Sequence, residues 1–114
     1  MPYLRIQTNV RPEPAATPGL LAALSKETAA ALGKGERYVM VALEAGTPML
    51  FAGTDAPLAY LELKSIGLPA RTGELSRTLC RAVGERLGVA PERIYIEFAD
   101  APAHLWGWNG DTFG

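Results

Sequence analysis

Apolar residues recur along this chain with two periods, and the periods take turns. Leu4 and Ile6 alternate with Arg5 and Gln7, the two-residue rhythm of a half-buried strand. Thr17-Pro18 then offers an N-cap and a first-turn proline. Leu20, Leu24, Thr28 and Ala31 or Leu32 follow at helical spacing, and Gly33 suits the residue after a helix, where φ turns positive. Val39, Val41 and Leu43 mark a second strand. The pattern then starts again. Ala59, Leu61 and Leu63 alternate with Tyr60, Glu62 and Lys64. Thr72 is placed to cap a helix carrying Leu75, Leu79, Val83 and Leu87, which Gly88 ends. Ile94, Ile96 and Phe98 give a fourth strand, with Tyr95 and Glu97 on its opposite face.

The two halves also match residue by residue. Leu32-Gly33-Lys34-Gly35-Glu36-Arg37-Tyr38-Val39 resembles Leu87-Gly88-Val89-Ala90-Pro91-Glu92-Arg93-Ile94, with the Leu-Gly pairs 55 positions apart. Pro57 follows Pro2 by the same interval, and each proline leads into a strand pattern. The chain therefore reads as a single domain, 1–114, built from pseudo-repeats 1–56 and 57–114. Its class is α/β (α+β in some schemes). Each β-α-β unit implies parallel pairing and a right-handed crossover. Two units sharing one four-stranded sheet place both helices on one face. The other face carries Arg5, Gln7, Glu62, Lys64, Tyr95 and Glu97, and either meets water or lines an assembly. The tail Leu105-Trp106-Gly107-Trp108-Asn109 lies outside the repeat. Its aromatics cover a pocket, cover a neighbouring subunit, or fold back on their own domain.

Composition narrows the partners. A hydrophobic content of 48% is ample for one core in 114 residues. A formal net charge of −1 gives no electrostatic reason to expect nucleic acid or an anionic membrane surface. No apolar stretch approaches the roughly 20 residues of a bilayer span. No basic-then-apolar leader opens the chain, so a cytoplasmic location is expected, with non-classical release left open. The single cysteine, Cys80, excludes an internal disulfide and reads as a packed thiol in a helix. His104 has no second histidine, and no metal site is expected.

The start Met1-Pro2 carries candidate chemistry. Methionine is normally trimmed when a small residue such as proline follows it, which would leave Pro2 as a free secondary amine. An ordinary α-amine has a pKa of about 8, and burial or a nearby cation lowers it. Such an amine on a rigid strand is a general base near neutral pH. The alternative is that Met-Pro is simply a tolerated start.

Taken in order, these segments resemble a known family. Pro2 opens the first strand, Thr8-Asn9-Val10 ends it, and Gly33-Lys34 follows the first helix. Ser65-Ile66-Gly67 follows the third strand, Pro91-Glu92-Arg93-Ile94-Tyr95-Ile96 forms the fourth, and Gly107-Trp108-Asn109 with Thr112-Phe113 closes the chain. The whole length is similar to the macrophage migration inhibitory factor family of the tautomerase superfamily. The resemblance implies a homotrimer with three active sites at subunit interfaces. It also implies a cofactor-free keto–enol tautomerase acting on small aromatic keto acids or enols of the phenylpyruvate or dopachrome type. Carried onto this chain, it makes Pro2 the catalytic base and has Lys34 and the Ile66 N–H bind substrate oxygens. Tyr95 arrives from the adjacent subunit, and Tyr38, Trp106, Trp108 and Phe113 shape an aromatic pocket. Glu97, two residues after Tyr95, falls on the same face of its strand and near the shared site. On the residues alone, Lys34 serves equally well to favour the helix C-terminus, and Tyr95 as an ordinary interface tyrosine.

Two departures from the family pattern bear on function. Some members carry a Cys-x-x-Cys motif early in the third strand, where this chain has Pro57-Leu58-Ala59-Tyr60, so a thiol oxidoreductase activity has no chemical basis. Glu97 replaces a commonly uncharged polar residue and Trp106 a commonly smaller one, which bears on substrate preference. Two other functions compete with the tautomerase. One is a cytokine-like signalling protein that binds a receptor, although no receptor surface is legible. The other is a proline-based hydratase or dehalogenase of the same superfamily, for which Arg71 and Glu97 are conceivable participants.

Overall fold

The computed structural model describes all 114 residues. Strand β1 (Tyr3–Thr8) leads to helix α1 (Thr17–Leu32) and strand β2 (Met40–Glu44). Strand β3 (Ala59–Ser65), helix α2 (Thr72–Leu87) and strand β4 (Ile94–Asp100) repeat the order, and two-residue strands β5 (Gly107–Trp108) and β6 (Asp111–Thr112) form a closing hairpin. The sheet order is β2-β1-β3-β4. Pairing is parallel within each repeat and antiparallel between them, where β1 meets β3 with Leu4 opposite Leu63 and Ile6 opposite Leu61.

Alternation in the strands decides what is buried. Leu4, Ile6, Leu61 and Leu63 are wholly inaccessible and form one core with Leu20 and Leu24 of α1 and Leu75, Leu79, Val83 and Leu87 of α2. Each fully buried side chain of this kind is worth about 1.5–3 kcal/mol of transfer free energy. Both helices therefore cover one face of the sheet, as the repeat pattern predicts. Gly33 and Gly88 end the helices with φ of 63° and 70°, a backbone state nearly free for glycine and costly for other residues. No helix is long and apolar enough to cross a membrane.

The helix starts differ from the expected caps. Neither Thr17 nor Thr72 caps its helix; each is the first helical residue, and neither helix has a side-chain cap. A 3₁₀ turn over Pro14–Ala16 feeds directly into α1, and the Thr17 hydroxyl bonds back to the Glu13 carbonyl at 3.4 Å. Pro14 presets φ one turn early, so the chain is already helical where a cap would need an extended residue.

Two buried threonines make opposite use of their hydroxyls. Thr8 Oγ1 donates to the Leu58 carbonyl at 2.6 Å and accepts from the Val10 N–H at 3.1 Å. Thr28 Oγ1, on the inner face of α1, has no partner. Valine has nearly the same shape without the hydroxyl. Thr8→Val should therefore destabilise the fold by about 1–3 kcal/mol, while Thr28→Val should be neutral or stabilising by about 1 kcal/mol. Urea midpoints of the two variants measure this contrast, and equal losses in both would contradict it.

Candidate functional site

The free end of β1 is held on both sides. Pro2 continues the inward series of Leu4, Ile6 and Thr8 and is buried. Its carbonyl accepts from the Met40 N–H at 2.9 Å, which ties it to β2. The Met1 amine donates to the Tyr38 carbonyl at 3.2 Å. Burial first, and the Lys34 charge second, hold this amine below its ordinary value. Burial and a neighbouring cation each penalise the protonated form of an amine.

Lys34 crosses from the end of α1 to the end of β3, where its Nζ donates to the Ile66 carbonyl at 2.9 Å. The Ile66 N–H donates to no protein group. Gly67 follows with φ of 75°, and its N–H donates to Asp100 Oδ1 at 2.8 Å, fixing the turn. Ser65 Oγ, just before it, is buried without a partner.

Three aromatic rings stand beside this chain end. Tyr38 packs edge-on to Trp108 and to Phe113, each at 6.4 Å between ring centroids, and Trp108 stacks on Phe113 at 5.9 Å. The closing hairpin makes the cluster possible. Asn109 and Gly110 both have positive φ, the geometry of a two-residue hairpin turn, and the Phe113 N–H donates to the Trp106 carbonyl at 3.1 Å. The tail thus folds back on its own domain and walls the site at the same time. Arg37 lies over the Tyr38 ring at 4.7 Å and donates to its hydroxyl at 2.9 Å.

The other candidate residues lie apart. Tyr95 and Glu97 project from the face opposite the helices, where Tyr95 pairs with Tyr60 and Glu97 with Glu62. Tyr95 rests against Phe51 at 4.6 Å, in an apolar depression of about 320 Å³ that Met49, Leu50 and Leu58 help to line. Trp106 lines a different depression, of about 400 Å³, with Lys64, Ala99 and Asp100. A single protomer therefore gathers Pro2, Lys34, Ile66, Tyr38, Trp108 and Phe113. It does not bring Tyr95 or Glu97 to them, and Trp106 adjoins the cluster through its backbone, whose carbonyl accepts from the Phe113 N–H.

A family profile described as macrophage migration inhibitory factor (MIF) matches residues 1–114. The chain belongs to this family. It is 37% identical to the macrophage migration inhibitory factor of Mus musculus, over 99% of both chains. It is likewise 37% identical to the homolog of Brugia malayi, over the full length of both. Among solved structures, the homologue from Prochlorococcus marinus has a TM-score of 0.91 and 46% identity, covering 98% of this chain and 99% of the other. The Toxoplasma gondii protein has a TM-score of 0.87 and 33% identity, covering 97% and 99%.

Elsewhere the molecule holds less chemistry. The largest cavity, about 850 Å³, opens between α2 and the Gly88–Pro91 turn, far from the amine, with Cys80 in its wall. Burial pushes the Cys80 thiol up and a weak contact with Ser76 only partly offsets this, so it is no nucleophile near neutral pH. On the polar sheet face, Arg5 grips Glu44 at 2.7 Å and Glu62 at 3.3 Å, whereas Glu97 forms no ion pair. Burial, together with Glu97 and Glu62, pushes the Tyr60 phenol up.

Sequence reasoning overlooked Arg93, Phe51 and Arg37. The Arg93 guanidinium donates to the carbonyls of Phe51 at 2.7 Å, Ala56 at 2.9 Å and Thr54 at 3.1 Å, and lies over the Phe51 ring at 5.1 Å. It fixes the loop that supports Tyr95. The one available signal was the repeated Glu-Arg pair, which places Arg93 and Arg37 at matching positions. Arg93→Met keeps the stem and removes the donors. It should cost about 1–3 kcal/mol and speed amide exchange in residues 51–57 while leaving β1 and β2 protected. Uniform acceleration across the sheet would assign Arg93 a global role instead.

Proposed function

We propose that this protein is a cofactor-free keto–enol tautomerase of small aromatic keto acids, of the phenylpyruvate or dopachrome type, with the Pro2 amine as its base once Met1 is removed. Family membership supports the isomerase class. The observation that carries the mechanism is the held chain end, where burial and then Lys34 depress the Met1 amine one residue from the Pro2 nitrogen. A neutral Pro2 nitrogen takes the proton from the carbon next to the substrate carbonyl. The electron pair moves onto the carbonyl oxygen, and the proton is returned to that oxygen or to the carbon. The enolate charge falls near the Lys34 ammonium and the unpaired Ile66 N–H, the pre-aimed donors this chemistry needs. The Tyr38, Trp108 and Phe113 rings receive the aryl group.

The reading includes a homotrimer in which Tyr95 and Glu97 of an adjacent subunit complete the site. Both strands at the sheet edges, β2 and β4, carry exposed large residues, Met40 at 65% and Tyr95 at 64%. Leu50, Leu105 and Trp108 are also more than half exposed. So much apolar exposure on a small domain favours assembly. Light scattering should give three times the 12.2 kDa chain mass, and a monomer would remove the shared site. In the trimer, Glu97→Gln should raise kcat/KM for phenylpyruvate and lower the pH at which activity rises, because Glu97 favours the protonated amine. An unchanged profile would take Glu97 out of the site.

The amine itself is tested at the N-terminus. Pro2→Gly should cut phenylpyruvate tautomerisation strongly, and one added residue should abolish it by turning the amine into an amide. Activity should rise with pH as the amine loses its proton, with a midpoint below the ordinary value of about 8. Lys34→Gln removes the smaller of the two depressing causes, so it should move that midpoint upward and also weaken substrate binding. Full activity in the extended protein would refute amine catalysis.

A further inference from the structure

Two cations flank the aromatic cluster, and neither is neutralised. Lys34 bonds only a carbonyl oxygen, and Arg37 bonds only the Tyr38 hydroxyl. Neither is in an ion pair, although Glu36 lies on the same short segment. Their places differ. Lys34 is half-buried at the chain end, whereas Arg37 is exposed. Tyr38 spans the two environments: its carbonyl receives the terminal amine, and its hydroxyl, at the far end of the ring, receives Arg37. A guanidinium offers five donors in a planar fork, and one of them satisfies the Tyr38 hydroxyl. Arg37 is exposed, and its remaining donors have no protein partner.

We propose that Arg37 is a specificity-determining residue that binds an acidic group on the ring end of the substrate, so that the site prefers aromatic keto acids bearing a second carboxylate. This rests on the tautomerase reading above. Lys34 serves the oxygen at the reacting centre. The Tyr38, Trp108 and Phe113 rings hold the aryl group between the two cations. A carboxylate in the para position of that group then meets the Arg37 fork, which suits bidentate recognition better than a lysine does. The contact lies away from the transferred proton, so it acts on binding rather than on the chemical step.

The test compares phenylpyruvate with 4-carboxyphenylpyruvate in the native protein, Arg37→Gln and Arg37→Lys. The native protein should favour the dicarboxylate about tenfold in kcat/KM. Arg37→Gln should erase that preference through KM, with kcat on phenylpyruvate within about twofold of native, and Arg37→Lys should keep part of it. Equal losses on both substrates would make Arg37 a mere brace for Tyr38 and overturn the proposal, as would a native enzyme with no preference. Calorimetric titration with terephthalate and benzoate separates this from a failure of the tautomerase reading. If the native protein turns over neither acid, tighter binding of terephthalate that Arg37→Gln abolishes still supports the assignment, and equal binding of the two overturns it.

Discussion

Antiparallel pairing of β1 with β3 is the contact on which the rest of this molecule depends. It joins the two halves of the repeat back to back. It brings four wholly buried side chains, Leu4, Ile6, Leu61 and Leu63, to the centre of the sheet. It also fixes both ends of the site at once. The register that sets Tyr3 against Lys64 carries Pro2 to the level where β3 ends at Ser65 and Ile66 follows. A one-residue slip would turn Pro2 to the polar face and move Ile66 away from Lys34. The hydrophobic alternation that forbids the slip therefore positions the chemistry as well.

A terminal residue is usually mobile, and a mobile amine makes a poor base. Here the terminus is an interior part of the sheet. Pro2 is bonded through its carbonyl to β2 and packed on the helix side, and the amine next to it reaches Tyr38. Burial is the larger cause of the depressed Met1 amine and Lys34 the smaller. Rigidity and a lowered pKa thus have one origin, the enclosure of a chain end that would otherwise be solvated.

The repeat is also where the halves diverge. Arg37 and Arg93 occupy matching positions, and each lies over an aromatic ring. Arg93 is consumed by carbonyls of the 51–57 loop and has become structural. Arg37 has one hydroxyl partner and retains open donors. The first repeat lays its arginine on the Tyr38 ring, while the second closes a loop with it. Duplicated architecture has thus left one arginine available for recognition.

Periodicity alone determined most of the fold. Leucine spacing of four in α2, alternation in β1, β3 and β4, and the terminating Gly33 and Gly88 were all legible, because each reflects local geometry repeated along one element. The start of α1 was not, since Pro14 begins a turn before Thr17 and displaces the cap. Residue order and likeness to a family suggested Pro2, Lys34, Ile66, Tyr38, Trp108 and Phe113 as one site, and tertiary structure decided that they meet. Tertiary structure also decided that Tyr95 and Glu97 do not join them within one chain. The physical reason is that strand parity fixes the face a residue takes, and only strand order and the closing hairpin fix what that face meets. The same holds for Arg37 and Arg93: the sequence shows a charge at a repeated position, and packing decides whether its donors are spent or free.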